Sequence, residues 1–274
     1  MTVSFVDVGG VQLEYAWFGP RPDAAPTLIV LHEGLGCVAM WRDFPEKLAS
    51  ASGCGVLVFS RQGYGGSDAC ELPRPVSFMH HEAQQVLPQL IKALGIRDHI
   101  LVGHSDGGSI VLINAGSAAA DGLKGVVTLA AHVFVEDISV TSIAAIKTVF
   151  ESTDLPTKLA RHHGDNVDCA FWGWNGVWLD PEFRDWNIEQ YLSEIDVPVL
   201  ALQGVDDEYG TPDQIDSIKR NIGISATTKM LDDCGHSPHR DQPDLTLQAI
   251  SEFVARTIPS LSNPKSLQSK TSGR

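Results

Sequence analysis

A serine hydroxyl becomes a nucleophile only when a base can take its proton, a third group can orient that base, and N–H donors can hold the oxyanion. Three stretches of this chain offer those residue types. Gly103-His104-Ser105-Asp106-Gly107 follows the apolar run Ile100-Leu101-Val102 and precedes a small-residue segment, Ser109 to Ala120, that reads as helix. Strand, G-x-S-x-G, helix is the context of a nucleophile elbow, in which a strained backbone projects the serine from the end of a sheet. The flanking glycines let strand and helix pass closely, and the helix N-terminus favours developing negative charge. His236 stands in Gly235-His236 after the last expected strand. Asp207 ends Gly204-Val205-Asp206-Asp207 after the strand before it. By residue type alone Asp206 could orient an imidazole as well as Asp207, and His239 lies close to His236.

The elements that must position these residues are legible as apolar runs. Val3 to Val8 and Val11 to Phe18 read as a hairpin turning at Gly9-Gly10. Thr27 to Leu31, Val56 to Phe59, Ile100 to Val102, Val126 to Ala130, Val197 to Leu202 and Thr227 to Leu231 read as further strands. Most are continuously apolar, as expected where helices cover both faces of a parallel sheet. Helices are expected over Trp41 to Ser50, Phe78 to Leu94 (with Pro88 a kink or boundary), Pro212 to Ile222 and Pro243 to Thr257. In such sheets ligands bind beyond the carboxyl ends of the strands, so His32, Arg61 and Ser105 should share one rim. Between residues 132 and 196 the strand rhythm stops, and helices are expected over Ile138 to Glu151, Leu155 to His162 and Glu182 to Glu194. So long an insertion reads as a lid or specificity element. It holds four of the six tryptophans, Trp172, Trp174, Trp178 and Trp186.

Composition bounds the partners. The 274 residues are 43% hydrophobic and 20% charged, enough for one large α/β domain with a sizeable core. A net charge of -14 argues against nucleic acid or an anionic membrane surface. Met1 to Gly10 carry no secretory signal pattern, and no run is long enough to span a membrane. Cys37, Cys54, Cys70, Cys169 and Cys234 are scattered without C-x-x-C, which suits free thiols and a cytoplasmic location. His80-His81 and His162-His163 lack accompanying carboxylate or cysteine spacing, so no metal is expected. The expected partner is a small-molecule substrate, with no nucleic acid and no membrane; a homodimer is left open.

H-x-G-x-G from His32, G-Y-G-x-S-D from Gly63, G-x-S-x-G-G from Gly103, G-x-x-D from Gly204 and G-H at Gly235 stand in order. With them the chain resembles the α/β-hydrolase superfamily over roughly residues 3 to 258, and is similar to its capped esterase and C–C hydrolase branch. The resemblance implies an α/β fold: a mainly parallel eight-stranded sheet with helices on both faces. The core would be 1–131 and 197–258, with a helical cap, 132–196, between the sixth and seventh strands, and a disordered tail, 259–274. It implies Ser105 as nucleophile, His236 as general base, Asp207 in preference to Asp206 as orienting acid, and the N–H groups of Gly34 and Asp106 as oxyanion hole, without a cofactor. Glu33, Leu35, Trp172, Trp174 and Trp178 are expected to line the pocket. The implied function is a carboxylesterase for a small to medium ester with an apolar portion. The alternatives are C–C bond, lactone or thioester hydrolysis or perhydrolysis on the same triad, or a ligand receptor. Two departures stand out: Glu33 replaces the usual glycine after His32, and Asp106 follows the serine where an uncharged side chain is common. Both carboxylates are expected to turn away from the oxyanion hole; Glu33, if it faces the pocket, would bind a polar substrate group or disfavour anions.

Overall fold

The structure, a computed structural model, describes residues 2–117 and 121–258. The expected tail, 259–274, and the expected last turn of the elbow helix, 118–120, lie outside the described residues. Eight strands form one sheet: β1 (Val3–Val8), β2 (Val11–Phe18), β3 (Thr27–Leu31), β4 (Gly55–Phe59), β5 (His99–His104), β6 (Leu123–Leu129), β7 (Val199–Gly204) and β8 (Ala226–Leu231). Their order is β1-β2-β4-β3-β5-β6-β7-β8. β2 runs antiparallel to β1 and β4, and the other pairs are parallel.

β3, β4 and β5 are buried at every position, which explains the apolar runs Leu28–Leu31, Val56–Phe59 and Ile100–Val102 within them. Successive strand residues face opposite sides, so one run feeds two cores. Ile29, Leu31 and Leu101 pack on one side with Leu87 and Ile110, whereas Leu28, Val30, Ile100 and Val102 pack on the other with Trp41, Leu48 and Phe253. Truncating any one of these to alanine should destabilise by about 2–5 kcal/mol.

Parallel pairing brings the carboxyl ends of β3, β5, β6, β7 and β8 to one rim. The residues just beyond them are His32, Ser105, Ala130, Val205 and Asp232. Between β6 and β7 the chain forms helices Asp137–Ser152, Leu155–His163, Val167–Trp178 and Glu189–Leu192. The inner face of this insertion has no separate core: Ile143, Phe150, Phe171 and Trp174 join the cluster that holds Leu31 and Ile110.

Three expected helices differ in detail. Residues 182–194 do not form one helix. A 3-10 turn, Pro181–Phe183, gives way to a bridge between Phe134 and Asn187, and the Asn187 side chain then caps the Glu189 N–H at 2.8 Å. The helix from Phe78 contains a π-turn, Glu82–Val86, immediately before Leu87–Ala93. Pro88 has no N–H to give to the preceding turn, and the wider turn accommodates it. The expected helix 41–50 is a 3-10 turn, Val38–Trp41, followed by Phe44–Ser52.

Candidate active site

Ser105 joins β5 to the helix Asp106–Ser117 at a left-handed φ of 51°, uncommon for any residue with a side chain. Its N–H donates to the Leu129 carbonyl, and its own carbonyl accepts from the Ser109 N–H, which ties the turn to β6 and to the helix. The flanking glycines are required by contact. A methyl on Gly103 would lie 2.2 Å from the Gly107 carbonyl oxygen, and one on Gly107 would lie 2.3 Å from that of Leu31.

Three loops converge on this hydroxyl. His236 Nε2 lies 2.9 Å from Ser105 Oγ, and His236 Nδ1 lies 2.8 Å from Asp207 Oδ1. The Asp207 oxygen also accepts the N–H groups of Tyr209 at 2.9 Å and Gly210 at 3.3 Å. Burial would raise the Asp207 carboxyl, but the His236 hydrogen bond and charge and the Tyr209 N–H hold it below the ordinary range. Asp207 is therefore a carboxylate and can accept only. The proton between it and His236 sits on Nδ1, which leaves the Nε2 lone pair facing Ser105. Asp206 is exposed and its backbone pairs with Cys234. His132 and Tyr209 flank the His236 ring at centroid distances of 5.5 and 4.8 Å. Burial, reinforced by the charge of His236, pushes His132 down to about 4, so it is a neutral wall at neutral pH.

The N–H groups of Gly34 and Asp106 are aimed by backbone chemistry. Arg61 donates to the carbonyls of His32 and Glu33, and His32 Nδ1 also donates to the Glu33 carbonyl at 2.6 Å. In a trans peptide C=O and N–H point opposite ways, so turning the Glu33 carbonyl to Arg61 turns the Gly34 N–H away from it. Burial pushes His32 well below its usual range, so it acts as a neutral strut that accepts the Arg61 N–H on Nε2 at 3.1 Å. The Asp106 N–H opens its helix and has no intrahelical acceptor.

A cavity of about 260 Å³ opens onto Ser105, walled by Leu35, Ile143, Trp174, Trp178 and Tyr209 and edged by Glu33 and Arg240. Trp174 packs directly on the Gly34 loop; a methyl on Gly34 would lie 2.2 Å from its indole. Two larger surface clefts, one beside Arg74 and one beside Asp165, are not lined by Ser105, His236 or Asp207.

The sequence model described as "Alpha/beta hydrolase family" matches residues 28–249. The chain belongs to the alpha/beta hydrolase family. Solved structures agree on the fold. An enol-lactonase from Burkholderia xenovorans LB400 superposes with a TM-score of 0.72 at 20% identity, covering 92% of this chain and 100% of that one. An esterase from Rhodococcus sp. ECU1013 gives 0.70 at 20%, covering 94% and 100%. A proline iminopeptidase from Mycobacterium smegmatis gives 0.67 at 18%, covering 93% and 98%. No curated protein sequence matches the chain.

Within this alpha/beta hydrolase, the residues singled out in sequence fall into three groups. Ser105, His236 and Asp207 form one hydrogen-bonded line, Asp106 adjoins Ser105 in the chain, and Glu33, Gly34, Leu35, Trp174 and Trp178 line the cavity onto which Ser105 opens. Trp172 does not line it: its ring packs edge-on against Phe150 and Phe171, with Lys147 over its face. The Asp106 side chain is fully buried, where Oδ1 accepts the Trp178 indole N–H at 3.0 Å. Sequence reasoning missed His132, Tyr209 and Ile143 as wall residues. Tyr209 had a usable signal, since it lies two residues after Asp207 on the same loop.

Proposed function

We propose that the protein is a serine carboxylesterase acting on a small or medium ester with an apolar portion. The observation that carries this reading is the unbroken line Ser105–His236–Asp207 at 2.9 and 2.8 Å, on the floor of an aromatic-walled cavity. In the proposed reaction, Ser105 Oγ attacks the ester carbonyl while His236 Nε2 takes its proton. Asp207 keeps the imidazole in the required tautomer and stabilises the imidazolium. The Gly34 and Asp106 N–H groups receive the oxyanion. His236 then protonates the departing alkoxide, and water, activated by the same imidazole, releases the acid from Ser105.

A cavity of about 260 Å³ favours compact substrates, and Trp174, Trp178, Leu35 and Ile143 favour an apolar group. The esterase and enol-lactonase of the same fold act on acyl–oxygen bonds by name, which supports the reaction class. A series of p-nitrophenyl esters of increasing acyl length tests it. The expected result is a preference for short to medium chains and a loss of several orders of magnitude in kcat in Ser105→Ala. Equal turnover by wild type and Ser105→Ala would refute the assignment.

A further inference from the structure

His236 is held by more than its ring. Its peptide N–H donates to Glu208 Oε2 at 3.1 Å, and its carbonyl accepts from His104 Nε2 at 2.7 Å. A carbonyl oxygen carries no proton, so Nε2 of His104 must. The other nitrogen of that ring, Nδ1, lies 3.4 Å from Glu33 Oε2. A neutral imidazole protonated on Nε2 would turn its Nδ1 lone pair toward a carboxylate, and two acceptors face to face repel. The contact therefore calls for one further proton, on Nδ1 or on Glu33.

We propose that Glu33 and His104 share this proton and act as a positioning pair for His236, Glu33 fixing the His104 ring and His104 fixing the His236 carbonyl. The proposal rests on the reading of His236 as the general base. Neither residue stands in the line to Ser105, so both act through His236. The loop containing Glu33 does not need the side chain for its own shape, because Arg61 and His32 already hold its carbonyls.

The surroundings leave His104 as the partner that matters. Its ring meets those of His239 at 4.9 Å, His236 at 5.3 Å and Trp41 at 6.4 Å. Burial pushes His239 down to about 3 and His32 well below its usual range, so neither brings positive charge to Glu33 at neutral pH. Arg240 edges the cavity and makes no ion pair among the described residues. Burial opposes ionisation of Glu33, yet the hydrogen bond and charge of His104 hold its carboxyl far below the ordinary range. The pair also answers an electrostatic objection. A lone carboxylate beside the Gly34 N–H would oppose an oxyanion, whereas a carboxylate sharing a proton with an imidazole leaves the pair without net charge.

The test is ¹⁵N NMR of the full chain labelled at histidine, with His104 assigned by the resonances lost in His104→Gln. At neutral pH both His104 nitrogens should be protonated in wild type. In Glu33→Gln the ring should become the neutral Nε2–H tautomer, since an amide N–H can donate to Nδ1. In ester kinetics Glu33→Leu and His104→Ala should lower kcat about ten- to a hundred-fold with KM little changed. Glu33→Gln should recover most of the loss seen in Glu33→Leu. If His104→Ala does not fold, His104→Gln replaces it, with kcat expected between wild type and Glu33→Leu because an amide can still donate to the carbonyl. The spectra do not depend on turnover, so failure of the esterase reading and failure of the pair are separable. A neutral His104 beside Glu33 in wild type, or a folded His104→Ala with wild-type kcat, overturns the proposal.

Discussion

Asp106 shows what a carboxylate beside the elbow serine needs in order to be buried. A carboxylate next to the Ser105 hydroxyl would be tolerable if solvated, but this one is fully buried, with Oδ1 on the Trp178 indole and Oδ2 without a partner among the described residues. Burial raises its carboxyl, and the pull of Arg61, Trp178 and His236 is too small to reverse that. A folded pKa above the unfolded one contributes stability that is complete below the unfolded value and is lost as pH rises through the folded value. Asp106→Asn keeps the acceptor for Trp178 and removes the titration. Thermal melts across pH should show the variant more stable than wild type at neutral pH, with the gap closing toward acid. A lower melting temperature for Asp106→Asn at neutral pH would mean that the charged form is needed. The residue type was plain in the sequence, but its direction was not, because the partner indole lies 72 residues away in the insertion.

At the scale of elements, the seam between the Gly34 loop and the helix Val167–Trp178 sets the cavity. Phe171, Trp174 and Trp178 lie at i, i+3 and i+7 on that helix and share a face, whereas Trp172 is turned about 100° away. That spacing was visible in the sequence. Which face looks inward depends on how the insertion docks, and periodicity alone cannot decide it. The strands were easier, since the middle of a fully buried strand must be apolar; β4 is apolar throughout, and in β3 and β5 the polar residues Thr27, His99 and His104 stand only at the ends. Residues 182–194 misled because a helical count of apolar residues does not register the Asn187 cap that breaks the segment. The close fit of Gly34 under Trp174 makes a coupled prediction. Gly34→Ala should reduce kcat/KM about ten- to a hundred-fold, by displacing the indole or the N–H. Adding Trp174→Leu should recover part of it, so that the double-mutant cycle shows a non-additive term. Strict additivity would separate the two sites.

For the molecule as a whole, the sheet's parallel register is what turns distant loops into one site. Element types and the rim could be read from the chain; the strand order, with β4 between β2 and β3, could not, because pairing is long-range and leaves no local pattern. One apolar cluster runs from β3 and the elbow helix into the insertion, through Leu31, Ile110, Phe171 and Trp174. The insertion should therefore not melt on its own: tryptophan fluorescence and far-UV circular dichroism should report the same unfolding midpoint, and two separated midpoints would show an independent cap. The central claim is that this fold delivers an activated hydroxyl at residue 105. Its most direct test is intact-mass and peptide mapping after a short exposure to a fluorophosphonate probe. One adduct on Ser105 is expected, abolished in Ser105→Ala and strongly slowed in His236→Ala and Asp207→Asn. No labelling of Ser105, or labelling at the wild-type rate in folded His236→Ala, would contradict it.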